Sequence, residues 1–384
     1  MSARVDLRQI AAALKDVASV LVLGVLPVAL LVYVLYATAG GKDFLYDFHG
    51  GLYEAARSIL DGHDPYRYAF LARLARVAST GGQPDLAYSV PVYPAPALLF
   101  VTPLGLLPFK LAGLIYAVAS IAALLAGLRI LGVRDWRCCG VALLSWPVIH
   151  SIRLGQAEGL LLLGLAVAWR WRDRLWPLAL SVAAIVVAKL FLLPVALWLL
   201  VTRRIRVLVT AALAGIAFLV VGWAVVGFDS FADYPRMLSN LSKVEGPAGV
   251  SLVSLAGSIG VANGAGEIVG YLGAAGLLAI AWRAYPARID ERSGFALAVV
   301  AALIGSPLVW PHYLALEFVP IALISPRFSP LWLVPLLAWI APVEVTNEQL
   351  GSIAPYLLIE LIVLTAVLTT SLRKVRGAAE VRAS

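Results

Sequence analysis

Charge is scarce in this chain. Only 14% of its 384 residues are Asp, Glu, Lys or Arg, against about 25% in an ordinary soluble domain. So few charges cannot clothe a soluble fold of this size. A soluble enzyme and a disordered chain are therefore excluded. Cysteine is nearly absent too. The two present, Cys138 and Cys139, are neighbours. That excludes a disulfide scaffold, because adjacent cysteines pair poorly, and they lack metal-ligand spacing. There is no P-loop, no GxGxxG after a strand, no HExxH, and no His/Cys/acid cluster at metal-ligand spacing. No metal and no cofactor is expected. A soluble nucleotide-sugar domain is missing. So are the inverted repeats with matched broken helices that mark many secondary transporters. The apolar/polar alternation of barrel strands is missing as well.

What is present is apolar length. The hydrophobic fraction is 61% and mean hydropathy is +0.91. Runs such as Val17 to Tyr36 and Ile353 to Thr370 are continuous. A spanning helix takes about 20 apolar residues, so the supply covers about a dozen. The expected fold class is all-α, a polytopic integral membrane protein built as one domain over 1–384. Spans are expected at 17–37, 109–132, 138–152, 157–172, 174–188, 191–202, 206–226, 264–283, 293–309, 313–325, 328–343 and 353–372. Ala37-Thr38-Ala39 has the look of a signal-peptidase site. The preceding apolar stretch is longer than a signal peptide's, however, so an uncleaved first span is expected.

The net charge of +8 reads as topogenic charge on cytoplasmic loops, not as a nucleic-acid footprint. Basic clusters fall at Arg134/Arg137, Arg170/Arg172/Arg174, Arg203/Arg204/Arg206, Arg283/Arg288/Arg292 and Arg373/Lys374/Arg376. With residues 1–16 and the tail 373–384 inside, all five clusters share the cytoplasmic face. Of the 30 Lys and Arg, 20 lie inside and 10 outside. Residues 39–108 then form a large first outer loop. Its end, Pro91 to Pro108, is apolar but short and holds five prolines. It reads as a re-entrant or broken segment, which at membrane depth must be buried in protein or line a wet cavity. Earlier in the loop, Leu52, Ala55, Ala56, Ile59 and Leu60 make one helical stripe. Phe70, Leu74 and Val77, with Arg67, Arg73 and Arg76 off the face, make another. Both are expected as helices lying at the membrane surface.

This topology was set by Lys/Arg asymmetry and span length alone. It nevertheless gathers polar groups on the outer face: Asp47 and His49, Tyr93 and Pro94, Gly155-Gln156-Ala157-Glu158, Lys189, Asp229, Asp233 and Arg236, then Trp310, His312 and Tyr313. Each has an ordinary explanation. An outer-loop Asp is usually only solvated, Glu158 is equally an interfacial charge, and a His in a tight loop is often packing. Lys189 is the least ordinary, since an ammonium within an Ala/Leu/Val run needs a partner or a snorkelling route. His150, Glu317 and Glu360 fall within spans, without an assigned role.

Asp47-Phe48-His49, Glu54-Ala55-Ala56-Arg57 and Gly62-His63-Asp64-Pro65-Tyr66 together resemble the first-loop signature of glycosyltransferase family 87. Tyr93-Pro94-Ala95-Pro96, Gly155-Gln156, Lys189, and Ser306-Pro307 with Trp310, His312 and Tyr313 extend the resemblance to about Tyr313. The chain departs from the usual pattern in having one proline after the tyrosine where two are common, and Glu158 where Asn is frequent. The resemblance implies a GT-C fold and an inverting transfer of a hexose, mannose in this family, from a polyprenyl phosphate on the outer side of the cytoplasmic membrane. It implies Asp47 and His312 as catalytic, and His49, Arg57, Tyr93, Gln156, Glu158, Lys189, Trp310 and Tyr313 as substrate-binding. The implied partners are a lipid-linked sugar donor, a glycolipid or polysaccharide acceptor and membrane lipids, with no nucleic acid.

The residue types suit that chemistry independently. A carboxylate takes the proton of a sugar hydroxyl as the new bond forms. A lipid-phosphate leaving group needs cationic or hydrogen-bonding company rather than a proton. Lys189, His312 and Arg153 can give it. A glycosidase's second carboxylate is not required. The alternatives are a transporter or flippase of a lipid-linked sugar, a GT-C transferase using another lipid-linked donor, and a non-catalytic partner in envelope assembly.

Overall fold

The computed structural model describes residues 7–40, 44–66, 91–285, 289–341 and 350–383, with side chains described over 13–371 of these. All regular structure among the described residues is helical. The second amphipathic stripe, with Arg67, Arg73 and Arg76, lies outside them.

The first long helix, α1, crosses as Ala13–Thr38 with a one-turn π-bulge at Leu21–Val25. A short π-turn at His49–Tyr53 leads into α2, Glu54–Leu60, which carries the first expected stripe with Ala55 and Ala56 buried. The proline-rich segment forms α3, Ala95–Val101, prolonged by a 3-10 turn, Thr102–Leu106. The helices α4 (Phe109–Ile130), α5 (Trp136–Leu144), α6 (Trp146–Leu154), α7 (Glu158–Arg170), α8 (Leu175–Ala188), α9 (Leu193–Val201) and α10 (Ile205–Val226) follow. Then come α11 (Tyr234–Glu245), α12 (Leu252–Ser258), α13 (Asn263–Ala284), α14 (Glu291–Ile304), α15 (Phe318–Ile324) and α16 (Leu350–Ala383).

Among the described residues five helices are long and apolar enough to cross a membrane: Ala13–Thr38, α4, α10, α13 and Leu350–Ser371. The bent pair α6 and α7 makes a sixth if counted as one broken span. Five further apolar segments are shorter: Ala95–Leu106, Leu175–Ala188, Leu190–Val201, Pro311–Ile324 and Pro330–Ile340. The chain is a multi-pass membrane protein.

Burial sorts the helices into two classes. On α14 every residue from Ser293 to Leu303 is buried. A helix apolar on all sides belongs in an interior, and α14 packs against α9, α13, α15 and α16. By contrast α1, α10 and α13 expose Tyr33, Leu213, Ile216 and Leu272. Such continuous exposed apolar area is what a lipid-facing surface looks like. Trp198 and Phe295 meet edge to face at 5.0 Å where α9 crosses α14, the geometry aromatic quadrupoles favour.

Breaks in these helices, more than their lengths, prepare the site. Between α6 and α7 the chain turns through 116° at Gly155-Gln156-Ala157. Gly155 is left-handed, at φ +74°, and a Cβ there would strike Phe48. Only glycine meets both demands. At Lys189 the backbone becomes extended, φ −143° and ψ 105°, before a 3-10 turn at Leu190–Leu192.

Candidate active site

A cavity of about 740 Å³ opens among the segment before α3, α8, α10, α11 and the segment before α15. That is the size range of small-molecule sites. Its walls divide sharply by chemistry. One end carries Asp47, Gln156, Lys189, Trp310, His312 and Tyr313. The rest is mostly apolar, chiefly the facing sides of α8 and α10, including Val182, Val186, Ala211, Gly215 and Leu219, with Leu238 and Leu241 of α11 alongside. From Leu208 to Leu219 along α10 this apolar wall runs about 16 Å at a rise of 1.5 Å per residue.

At the polar end one amide joins a base to a cation. The Gln156 side-chain NH₂ donates to Asp47 Oδ2 at 2.7 Å. Its Oε1 accepts from the Tyr93 hydroxyl at 2.7 Å and from Lys189 Nζ at 3.5 Å. With its oxygen committed to two donors, the amide has only its NH₂ to offer Asp47. Lys189 Nζ also donates to the Tyr313 hydroxyl at 3.2 Å. It lies 4.3 Å from the Tyr313 ring centre and 5.0 Å from that of Tyr93, a cation–π arrangement.

Behind Lys189 sits Glu158, fully buried. Its Oε1 is 3.5 Å from Nζ and 3.9 Å from His312 Nε2. Its Oε2 accepts from the Ser151 hydroxyl at 2.9 Å. The buried ammonium thus has a counter-ion, which a charge removed from water requires. His312 is buried with no hydrogen bond at either ring nitrogen among the described residues, and its ring lies 5.5 Å from that of His150. Phe191 stacks on Tyr313 at 4.8 Å.

Asp47 lies outside the spanning helices, on the turn Tyr46–Phe48. Leu45 before it adopts φ +47°, a strained conformation for a residue with a Cβ. Phe48 stacks on Tyr116 at 4.6 Å and anchors the turn in the core. Burial pushes the Asp47 carboxyl up to about 6. The Gln156 hydrogen bond and the Lys189 charge oppose that rise, and Glu158 adds to it. Glu245, at the end of α11, also faces the cavity. Its carboxyl is raised by burial and then by the Asp47 charge.

The segment Gly62–Tyr66 acts one layer back. Asp64 Oδ1 accepts from the Tyr66 backbone N–H at 2.8 Å, closing the turn, and Asp64 Oδ2 accepts from the Ser230 hydroxyl. The Tyr66 hydroxyl donates to the Tyr93 carbonyl at 2.6 Å, and its ring stacks on Trp223 at 5.0 Å. These contacts fix Tyr93, whose hydroxyl reaches Gln156.

The structure therefore brings Asp47, Tyr93, Gln156, Glu158, Lys189, Trp310, His312 and Tyr313 together. It places two other sequence candidates elsewhere. His49 stacks on Phe109 at 4.1 Å and pairs with Glu54 at 3.3 Å, away from the cavity lining. Arg57 is exposed on α2. Asp233 and Arg236 pair with each other at 3.3 Å on the surface. Sequence reasoning missed Glu245 and Phe191. The stripe Met237, Leu238, Leu241 and Val244 marks α11 as amphipathic, but nothing local says that it caps a cavity. Among the described residues no group of three or more His, Cys, Asp or Glu is placed to hold a metal ion.

The profile of glycosyltransferase family 87 matches residues 92–311. The chain is also similar to a polyprenol-phosphate-mannose-dependent alpha-(1-2)-phosphatidylinositol pentamannoside mannosyltransferase of Mycolicibacterium smegmatis. The two are 26% identical over 326 residues, which cover 79% of this chain and 71% of the relative. No solved structure matches the chain.

Proposed function

The chain belongs to glycosyltransferase family 87, and on that premise we propose that it transfers a mannosyl group from a polyprenyl phosphate to an acceptor hydroxyl, inverting the anomeric carbon. The observation that carries this reading is the Gln156 amide, bonded to Asp47 on one side and Lys189 on the other. It holds a base and a phosphate clamp in one rigid unit.

In this scheme the polyprenyl chain lies in the apolar groove between α8 and α10, and the phosphate sits at Lys189. Asp47 accepts the proton of the acceptor hydroxyl as its oxygen attacks the anomeric carbon. The carbon–oxygen bond to phosphate breaks, and the electron pair leaves on the lipid phosphate. Lys189 meets that charge with an N–H donor, and His312, with both nitrogens uncommitted among the described residues, is available as another. Donors fixed in advance stabilise developing charge without reorganising. A carboxyl near 6 is ionised at neutral pH yet basic enough to matter, which is the useful range for a general base. Glu158 then serves as the counter-ion of Lys189 rather than as a sugar ligand.

The proposal includes twelve passes in a GT-C arrangement, with the loop 39–108 and the polar end of the cavity facing outward. The positive charges of the loops between α7 and α8 and between α9 and α10 support that orientation.

The experiment is an assay in membranes with radiolabelled polyprenyl-phosphate mannose, followed by identification of the labelled product. Label should pass to a new acceptor, and the Asp47→Asn protein should pass it far more slowly. Label that crosses the membrane still joined to its polyprenyl phosphate would replace this reading with transport.

A further inference from the structure

We infer that a second site, at the ends of α8 and α10 remote from Lys189, binds the phosphate-bearing headgroup of an anionic membrane lipid. A cleft of about 490 Å³ lies there, lined by Arg172, Arg174, Arg203, Arg204 and Arg206 with Asp173 among them. It is separate from the sugar-transfer cavity, although the two approach closely: Leu208 lines the cavity and Val207 the cleft. The inference does not rest on the transfer mechanism.

The five arginines are not equivalent. Two of them build the walls. Arg172 Nε is 3.0 Å from Glu291 Oε2, and its guanidinium lies 4.3 Å from the Trp169 ring centre. Arg204 bonds Asp173 at 3.2 Å and pairs with Glu291. Two carboxylates thus neutralise two guanidiniums and tie the loop after α7 to the loop after α9 and to the start of α14. The other three, Arg174, Arg203 and Arg206, are exposed and have no carboxylate partner among the described residues. The cleft therefore carries a surplus of three positive charges.

Backbone geometry adds a second observation. Arg203 has φ +58°, a left-handed conformation disfavoured for any residue with a Cβ. The turn is the C-terminal cap of α9, with the Arg203 and Arg204 backbone N–H groups bonded to the Leu200 and Leu199 carbonyls at 2.9 and 2.8 Å, and an arginine stands where glycine is usual. Topogenic arginines need only be on the correct side of the membrane. They need neither a cleft nor an acidic frame.

The surroundings identify the kind of ligand. Ile205, which lines the cleft, is 52% exposed, and Trp176, next in sequence to the lining residue Leu175, is 63% exposed. Val209 and Leu180 continue that exposed apolar surface one turn further along α10 and α8. A phosphate in the cleft with hydrocarbon attached at this edge satisfies both surfaces. Free phosphate leaves the apolar lip uncovered. Basic pockets between spanning helices on the cytoplasmic side are where anionic headgroups bind, and Trp is the residue type enriched at membrane interfaces.

The test uses the purified full chain in a non-ionic detergent, titrated with short-chain phosphatidylglycerol, phosphatidylcholine or inorganic phosphate and read by native mass spectrometry. Phosphatidylglycerol should bind at least tenfold tighter than phosphatidylcholine, and excess inorganic phosphate should displace it poorly. In an Arg174→Gln, Arg203→Asn, Arg206→Gln variant the phosphatidylglycerol affinity should fall by about tenfold or more. Arg203→Asn is chosen because Asn tolerates the left-handed backbone. The corresponding triple Lys variant keeps the charge and should keep most of the affinity. Equal affinity for the two lipids, undiminished phosphatidylglycerol binding in the neutral variant, or ready displacement by inorganic phosphate would each overturn the assignment.

Discussion

At one end of α8, Lys189 is buried, and its ammonium is met by Gln156, Tyr313 and Glu158 at 3.2 to 3.5 Å. At the other end Arg174 and, beside it, Arg203 and Arg206 stand exposed without carboxylate partners among the described residues. The charge is the same at both ends, but the physics differs. A cation taken out of water survives only if its neighbours replace water, so its geometry is fixed and each neighbour matters. Cations on exposed loops keep their water, are screened by salt and act mainly as a field. A site for chemistry needs the first kind. A surface that orients a protein or collects anionic lipid uses the second.

The comparison predicts unequal responses to mutation. The largest is Asp47→Asn, which keeps size and most hydrogen bonding but removes the basic lone pair. It should lower turnover about 10²–10⁴-fold, while donor binding, measured in parallel, persists through Lys189. Next is Lys189→Met, which removes the charge-assisted contact to the phosphate. Donor affinity should weaken by about 10–100-fold, as measured by equilibrium binding of labelled donor. Unchanged affinity would reduce Lys189 to a structural partner of Glu158. The smallest is Arg204→Gln at the opposite end, where the pairs with Asp173 and Glu291 are partly exposed. Thermal unfolding in detergent should reveal a loss of about 1 kcal/mol or less, with turnover unaffected. A loss comparable to that of Asp47→Asn would erase the distinction between the two ends.

Much of this division is written in the sequence. Lys189 announces itself because an ammonium inside an Ala/Leu/Val run is expensive. The loop arginines announce themselves by clustering between apolar runs. Gly155-Gln156 is legible as a hairpin, since glycine there permits the left-handed turn. Other features are not local. His49 sits two residues from Asp47, yet the π-turn at His49–Tyr53 swings its ring onto Phe109. Arg57 shares α2 with buried Ala55 and Ala56 but falls on the outer side of the helix. Glu245 reaches the cavity only because α11 packs along its wall.

Helix length was the other non-local property. Apolar composition marks 174–188, 191–202 and 313–325 as membrane segments, but the interruptions at Lys189 and at Pro311–Glu317 leave pieces of 14 residues or fewer. Lys/Arg asymmetry reads which side a loop is on. It is blind to where a helix breaks between loops.

The claim at the centre of this account is that Asp47 is the base, held by Gln156 and tuned by burial. Its most direct test is the pH dependence of single-turnover mannosyl transfer with saturating labelled donor. A base must be deprotonated to act, and burial holds this carboxyl up to about 6. The rate should therefore rise with pH through about 6 and level off near neutrality, and Gln156→Leu, which removes the amide that favours the ionised form, should move that limb to higher pH. The residual activity of Asp47→Asn should lack the limb. A wild-type rate that is flat from about pH 5 to 8, or a limb that survives unchanged in Asp47→Asn, would contradict the assignment.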